Sequence, residues 1–109
     1  MVDFDTILER RAAETACHRA KTEPVILLEG PRSTGKSTLI QALGERFKTK
    51  VFDFDDPVVR EDAARDPFFY TRPTGTAPIL IDEYQRVPAI LDAIKTRMNA
   101  SSHPGQFIL

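Results

Sequence analysis

Residues 25–43 read VILLEGPRSTGKSTLIQAL, and three patterns meet in them without a gap. Val25, Ile26, Leu27 and Leu28 make a short unalternated apolar run, the pattern of a parallel strand covered on both faces. Leu39, Ile40, Leu43 and Phe47 fall at i, i+1, i+4 and i+8, which is one face of a helix. Between the two runs, Gly30, Gly35, Lys36 and Ser37 fit G-x-x-x-x-G-K-[ST], the pattern of a phosphate-binding loop. Glycines there let the backbone curl so that successive N–H groups face phosphate oxygens. The lysine adds a mobile positive charge, and a helix dipole begins at the same place. The bland alternative is a glycine-containing turn that binds nothing. A strand directly before the pattern and an amphipathic helix directly after it make that coincidence far rarer. The expected phosphate cradle is therefore Gly30, Pro31, Arg32, Ser33, Thr34, Gly35, Lys36, Ser37 and Thr38, with the Ser37 hydroxyl placed for the Mg2+ of a nucleoside triphosphate. The Arg32 side chain is expected at the surface.

Working outward, PILIDEYQRVP at 78–88 holds a second buried strand pattern, Ile79, Leu80 and Ile81, that ends in two adjacent carboxylates. The carboxyl end of a strand is where an α/β sheet meets its ligand, so Asp82 is the candidate metal ligand. Glu83 beside it is suited to orient a water and accept its proton. An isolated Asp-Glu pair reads more simply as a solvated turn; its place some forty residues after the loop, at a strand end, favours the functional reading. A third acidic stretch, DFDD at 53–56, closes a strand pattern at 51–54 and offers Asp56 as the N-cap of a helix opened by Pro57. Its acids are equally readable as metal or substrate contacts. Arg86 is expected in a surface ion pair.

The rest of the chain is read more coarsely. Residues 6–21, with Asp5 or Thr6 as cap, predict an N-terminal helix with little apolar surface that flanks the domain. Residues 66–77 are turn-rich and read as a connection, with Phe68, Phe69 and Tyr70 as a packing plug. After Pro88 a helix is expected whose Ile90, Leu91, Ile94 and Met98 share a face, and Phe107, Ile108 and Leu109 begin a fourth strand. His18 and His103 are isolated, and Cys17 is the single cysteine, so no cysteine metal cluster and no internal disulfide can form. A chain of 109 residues with net charge -1 is one domain with no field strong enough to mark nucleic acid as the main partner. The longest apolar runs fall well short of a membrane span, and the N-terminus lacks the pattern of a signal peptide, so a cytoplasmic protein is expected.

With these residues in place, the chain resembles the AAA-type P-loop ATPases of bacteria and archaea that carry a C-terminal domain of unknown function behind an N-terminal ATPase domain. The likeness runs in order through LLEGPRSTGKSTL, FDFDDPVVRE, ARDPFF, ILIDEYQRVPAILDAIK and GQFIL. The DDP after the second strand and the IDE-x-QRVP after the third are more specific than the loop alone. The resemblance implies a P-loop NTPase fold, three-layer α/β/α, with a mostly parallel sheet of the additional-strand type and strand order 5-1-4-3-2, truncated here after the fourth strand. It implies ATP with Mg2+ as ligands, Lys36 on the β- and γ-phosphates, Ser37 and Asp82 at the metal, and Glu83 as the catalytic carboxylate. Tyr84 stands where such proteins more often have a small or aliphatic residue. Residues 1–24 are then a helical flank and 25–109 a partial nucleotide-binding core, with the polar sensor, the fifth strand and the further domain expected outside this sequence. On that expectation nucleotide binding outlasts turnover, and the open sheet edge favours a protein partner or self-association. Two other readings stay open: a small-molecule P-loop kinase, with Asp53 and Asp55 holding an acceptor, and an inactive nucleotide-binding module.

Overall fold

The computed structural model describes residues 4–28, 35–73 and 75–109, with side chains described over 10–28, 37–73 and 75–109. Four short strands, β1 (Val25–Ile26), β2 (Val51–Asp53), β3 (Ile79–Asp82) and β4 (Phe107–Ile108), form one sheet in the order β1-β4-β3-β2. Every neighbouring pair is parallel. This is the 1-4-3-2 part of the expected order. The ladder reaches past Ile26: Leu109 donates its N–H to the Ile26 carbonyl at 2.9 Å, and Leu28 donates to the Leu109 carbonyl at 2.8 Å. The apolar run 25–28 thus pairs along its length although only its first half is regular strand.

Four helices cover the sheet: α1 (Phe4–Arg19), α2 (Gly35–Phe47), α3 (Pro57–Arg65) and α4 (Ala89–Ala100). Alternate strand residues sort to the two faces. Ile26, Leu28, Leu80 and Ile108 meet Ala13 and Ala16 of α1 and Ile40 and Leu43 of α2. Phe54, Ile79, Ile81, Phe107 and Leu109 meet Ala63 of α3, Ile90 and Ile94 of α4, and Tyr70. Burial of this order, about 1.5–3 kcal/mol for each fully covered aliphatic side chain, is what holds strands of two to four residues in a sheet. The result is the three-layer α/β/α arrangement expected from the sequence.

Local chemistry explains the boundaries. Asp56 caps α3 through its side chain, accepting from Val58 N–H at 3.0 Å, with Pro57 in the first turn. Helix α1 starts ahead of the expected cap, so Asp5 and Thr6 lie within it, and it closes through Ala20 and Glu23 N–H groups bonded to Ala16 and Arg19 carbonyls. Cap preference is a weak signal where no breaker precedes it. Gly44 lets α2 lie close on β2: a Cβ there would stand 2.8 Å from Val51 Cγ2. Gly105, at φ 71, turns the chain into β4 and donates its N–H to the Glu23 carbonyl at 2.9 Å. Two expectations need correction. Leu91 is 47 % exposed, because the buried stripe of α4 runs through Ile90, Ala93 and Ile94, and Leu91 is turned about 100° from Ile90. Of the aromatic plug, only Tyr70 is buried; Phe68 and Phe69 are half-exposed and lie against guanidinium groups of Arg97 and Arg72.

Candidate functional site

The direction of α2 places the candidate site. Gly44 touches Val51 at the start of β2 and Leu80 within β3, so the second half of the helix lies over the middle and amino ends of the strands. Gly35 is nine residues earlier, about 13 Å along the helix axis, which is roughly the full rise of a four-residue strand. The first turn of α2 therefore stands at the carboxyl edge of the sheet, the edge at which β3 delivers Asp82. Ser37 and Thr38 are exposed in that turn. Gly30, Pro31, Arg32, Ser33 and Thr34 lie outside the described residues, as does the Lys36 side chain; Gly35 and Lys36 open the helix.

Asp82 ends a strand buried at all four positions and is itself 5 % exposed. Its carbonyl accepts the Phe54 N–H at 3.0 Å, which ties the ends of β2 and β3 together. Its carboxylate atom Oδ1 is buried and has no hydrogen-bond partner among the described residues. A buried acceptor left unmatched costs about 1–3 kcal/mol, and more for a charged group. A hard divalent cation bound by oxygen is the complement such an atom lacks. Mg2+ fits this position, with the exposed Ser37 hydroxyl as a second oxygen available from the first turn of α2.

Glu83 follows in the left-handed region, φ 57 and ψ 46, and the chain then enters a 3-10 turn at Tyr84–Arg86. The turn closes through Arg86 N–H on the Glu83 carbonyl at 3.1 Å. Glu83 is half-buried as a residue, and its carboxylate accepts from Nε2 of Gln85 in an exposed setting. Sequence reasoning missed Gln85, since its contact depends on the left-handed step. Asp53 stands opposite Asp82 in the β2–β3 register, with Oδ1 accepting the Asp55 N–H at 2.9 Å. Here the signal was present: two acidic groups each end a strand pattern, and parallel pairing sets them abreast. Arg86 pairs with Asp55 at 3.1 Å with both side chains half-exposed, the surface ion pair expected of it.

Other candidates stay apart from this edge. A groove lined by Gln41, Gly44, Glu45, Lys48, Thr49, Lys50 and Val51 lies at the far end of α2, over the strand starts. No cluster of three or more His, Cys, Asp or Glu side chains suited to a metal exists among the described residues. His103 is exposed, and Cys17 packs at the margin of the α1–α2 core. No helix among the described residues is long and apolar enough to cross a membrane.

A parallel three-layer domain whose buried strand-end carboxylate faces a helix start defines an α/β domain of the P-loop NTPase kind. A family described as an AAA domain matches residues 22–109, and the chain belongs to that family. It is also 34% identical over 107 residues to an uncharacterized protein of Mycobacterium tuberculosis and, equally, to one of Mycobacterium bovis. The alignment covers 94% of this chain and 23% of each relative, so the chain spans about a quarter of their length. No solved structure matches the chain at a significant level.

Proposed function

We propose that the chain binds ATP with Mg2+ at the carboxyl edge of the sheet, and that the AAA domain to which it belongs hydrolyses it. The observation that carries this reading is the buried, unmatched Oδ1 of Asp82 beside the first turn of α2. Gly30, Pro31, Arg32, Ser33, Thr34 and Gly35 are the loop around the phosphates, in which every residue but Pro31 has a backbone N–H to offer; Lys36 and Thr38 reach the phosphate oxygens, and Ser37 and Asp82 hold the cation. When bound, Mg2+ supplies charge neutralisation on the β- and γ-phosphates. Glu83 accepts the proton of the attacking water as its oxygen bonds to the γ-phosphorus, while the bond from that phosphorus to the bridging oxygen breaks and ADP leaves. The protein is placed by this reading among cytoplasmic ATPases of bacteria and archaea that carry a further C-terminal domain, with hydrolysis driving a change in an attached or partner protein. The short share of its mycobacterial relatives that it matches is in keeping with that.

The test is calorimetry of ATP with and without Mg2+ on the purified chain and its Lys36→Ala variant, with released phosphate followed in parallel. Binding is expected in the wild type and lost by at least about tenfold in the variant. Glu83→Gln should bind ATP and release no phosphate. Absence of binding in a folded wild-type chain overturns the reading, and turnover only in the presence of an added acceptor replaces it with a kinase.

A further inference from the structure

Asp53 and Asp82 end the adjacent parallel strands β2 and β3 in register, which sets their Cα atoms about 4.8 Å apart. Alternation fixes which face they share. Val51 and Leu80, two residues before each, pack on the α2 side of the sheet, so Asp53 and Asp82 leave the sheet on that side, toward the first turn of α2. The two carboxylates differ in setting. Asp82 is buried with an unmatched Oδ1; Asp53 is exposed, and one of its oxygens is already held by the Asp55 N–H. Two guanidinium groups reach this turn and both are engaged, Arg86 by Asp55 and Arg60 by the Phe54 and Asp55 carbonyls, and Asp56 caps α3.

We propose that Asp53 is a second carboxylate of the cation site, one that accepts hydrogen bonds from water carried by the divalent cation held at Asp82. The inference rests on the proposed nucleotide site and adds to it the residue that sets cation affinity. Contact through water follows from the chemistry. Mg2+ gives up its waters reluctantly and keeps several of them when bound by one or two carboxylates. An exposed carboxylate with one oxygen restrained by its own turn is placed to orient such water, and outer carboxylates of this kind tune metal affinity.

Mn2+ serves as the probe, its free concentration read by electron paramagnetic resonance during titration into the full chain at saturating ADP. Asp53→Asn keeps an acceptor for the Asp55 N–H, so the turn and the melting temperature are expected to hold; Asp53→Ser, which also keeps an acceptor, stands in if it does not fold. Mn2+ affinity is expected to fall about tenfold in the variant, with ADP affinity in the absence of metal unchanged. Asp55→Asn, which removes the same charge two residues further along the turn, is expected to change Mn2+ affinity by less than about twofold. Mn2+ affinity in Asp53→Asn within about twofold of wild type, or an equal loss in Asp55→Asn, overturns the assignment while leaving the nucleotide site standing. A wild-type chain that binds neither ADP nor Mn2+ overturns both.

Discussion

Glu83 holds a backbone conformation that side-chain-bearing residues avoid, φ 57 and ψ 46, at a cost of about 1–2 kcal/mol. Glycine or asparagine is the usual occupant of such a step. A carboxylate at a position where the fold would prefer glycine points to selection for the side chain, in the manner of strain stored at functional sites. The Gln85 amide holds that carboxylate and so limits where it can point. Glu83→Gly relieves the strain but adds freedom to the unfolded chain, worth about 0.4–1 kcal/mol against it. The variant is therefore expected to match wild-type stability or exceed it by up to about 1.6 kcal/mol, while phosphate release is lost. Urea unfolding of the two proteins checks the first half. A loss of more than about 1 kcal/mol would make the Glu83 side chain a structural element of the turn.

Among the elements, the connection 66–77 departs most from its sequence reading. Tyr70, 7 % exposed, is its anchor: Phe52, Phe54 and Phe69 meet its ring edge-on at 4.8, 5.8 and 5.4 Å. Its hydroxyl donates to Asp62 Oδ2 of α3 at 2.7 Å. Arg97 of α4 fastens the other end, donating to the Phe68 carbonyl at 3.1 Å and to Thr71 Oγ1 at 3.3 Å. Turn residues in the sequence reported a connection correctly, but the partners that order it lie on two helices, and no local pattern encodes them. Burial, then the Asp62 carboxylate as acceptor and charge, and then the Asp56 charge, push the Tyr70 phenol up to about 12. The neutral phenol is thus the form the fold prefers. Its contribution is complete below the unfolded value of about 10 and is lost as pH rises from there through about 12. Urea midpoints of wild type and Tyr70→Phe, compared from pH 8 upward, are expected to converge above pH 10; parallel curves would show that Tyr70 does not titrate in this window.

At the scale of the molecule, β4 is the strand between the two halves of the candidate site. It is last in sequence yet lies between β1, which leads toward the phosphate-loop pattern, and β3, which delivers Asp82. The strands themselves were legible, because a strand covered on both faces must be apolar at every position, as 79–81 is; the run 25–28 is apolar too, but there Leu27 is 43% exposed, so the expected cover on both faces is not met along that run. The insertion of β4 was legible only through resemblance, since pairing between segments some eighty residues apart leaves no periodic trace in either. The meeting of Asp53 and Asp82 depends instead on the β2–β3 register, and its signal in the sequence was that each acid ends a strand pattern. Ile108 is fully buried and pairs with Ile26 on one side and Leu80 on the other. Ile108→Ala is expected to cost about 2–5 kcal/mol, a large share of the roughly 5–15 kcal/mol that stabilises a domain. If β4 is what holds the two halves of the site in register, the substitution also weakens binding. On the proposed function, MgATP at a hundred times its wild-type dissociation constant is expected to raise wild-type stability by about 2.7 kcal/mol, and the variant by less. The control is Val58→Ala on α3, where the side chain is 76% exposed and the ligand increment should match wild type. Urea midpoints of the three proteins with and without MgATP give the comparison. An undiminished increment in Ile108→Ala would mean that the packing of α2 directly on β2 and β3, through Gly44 against Val51 and Leu80, holds the site together without β4.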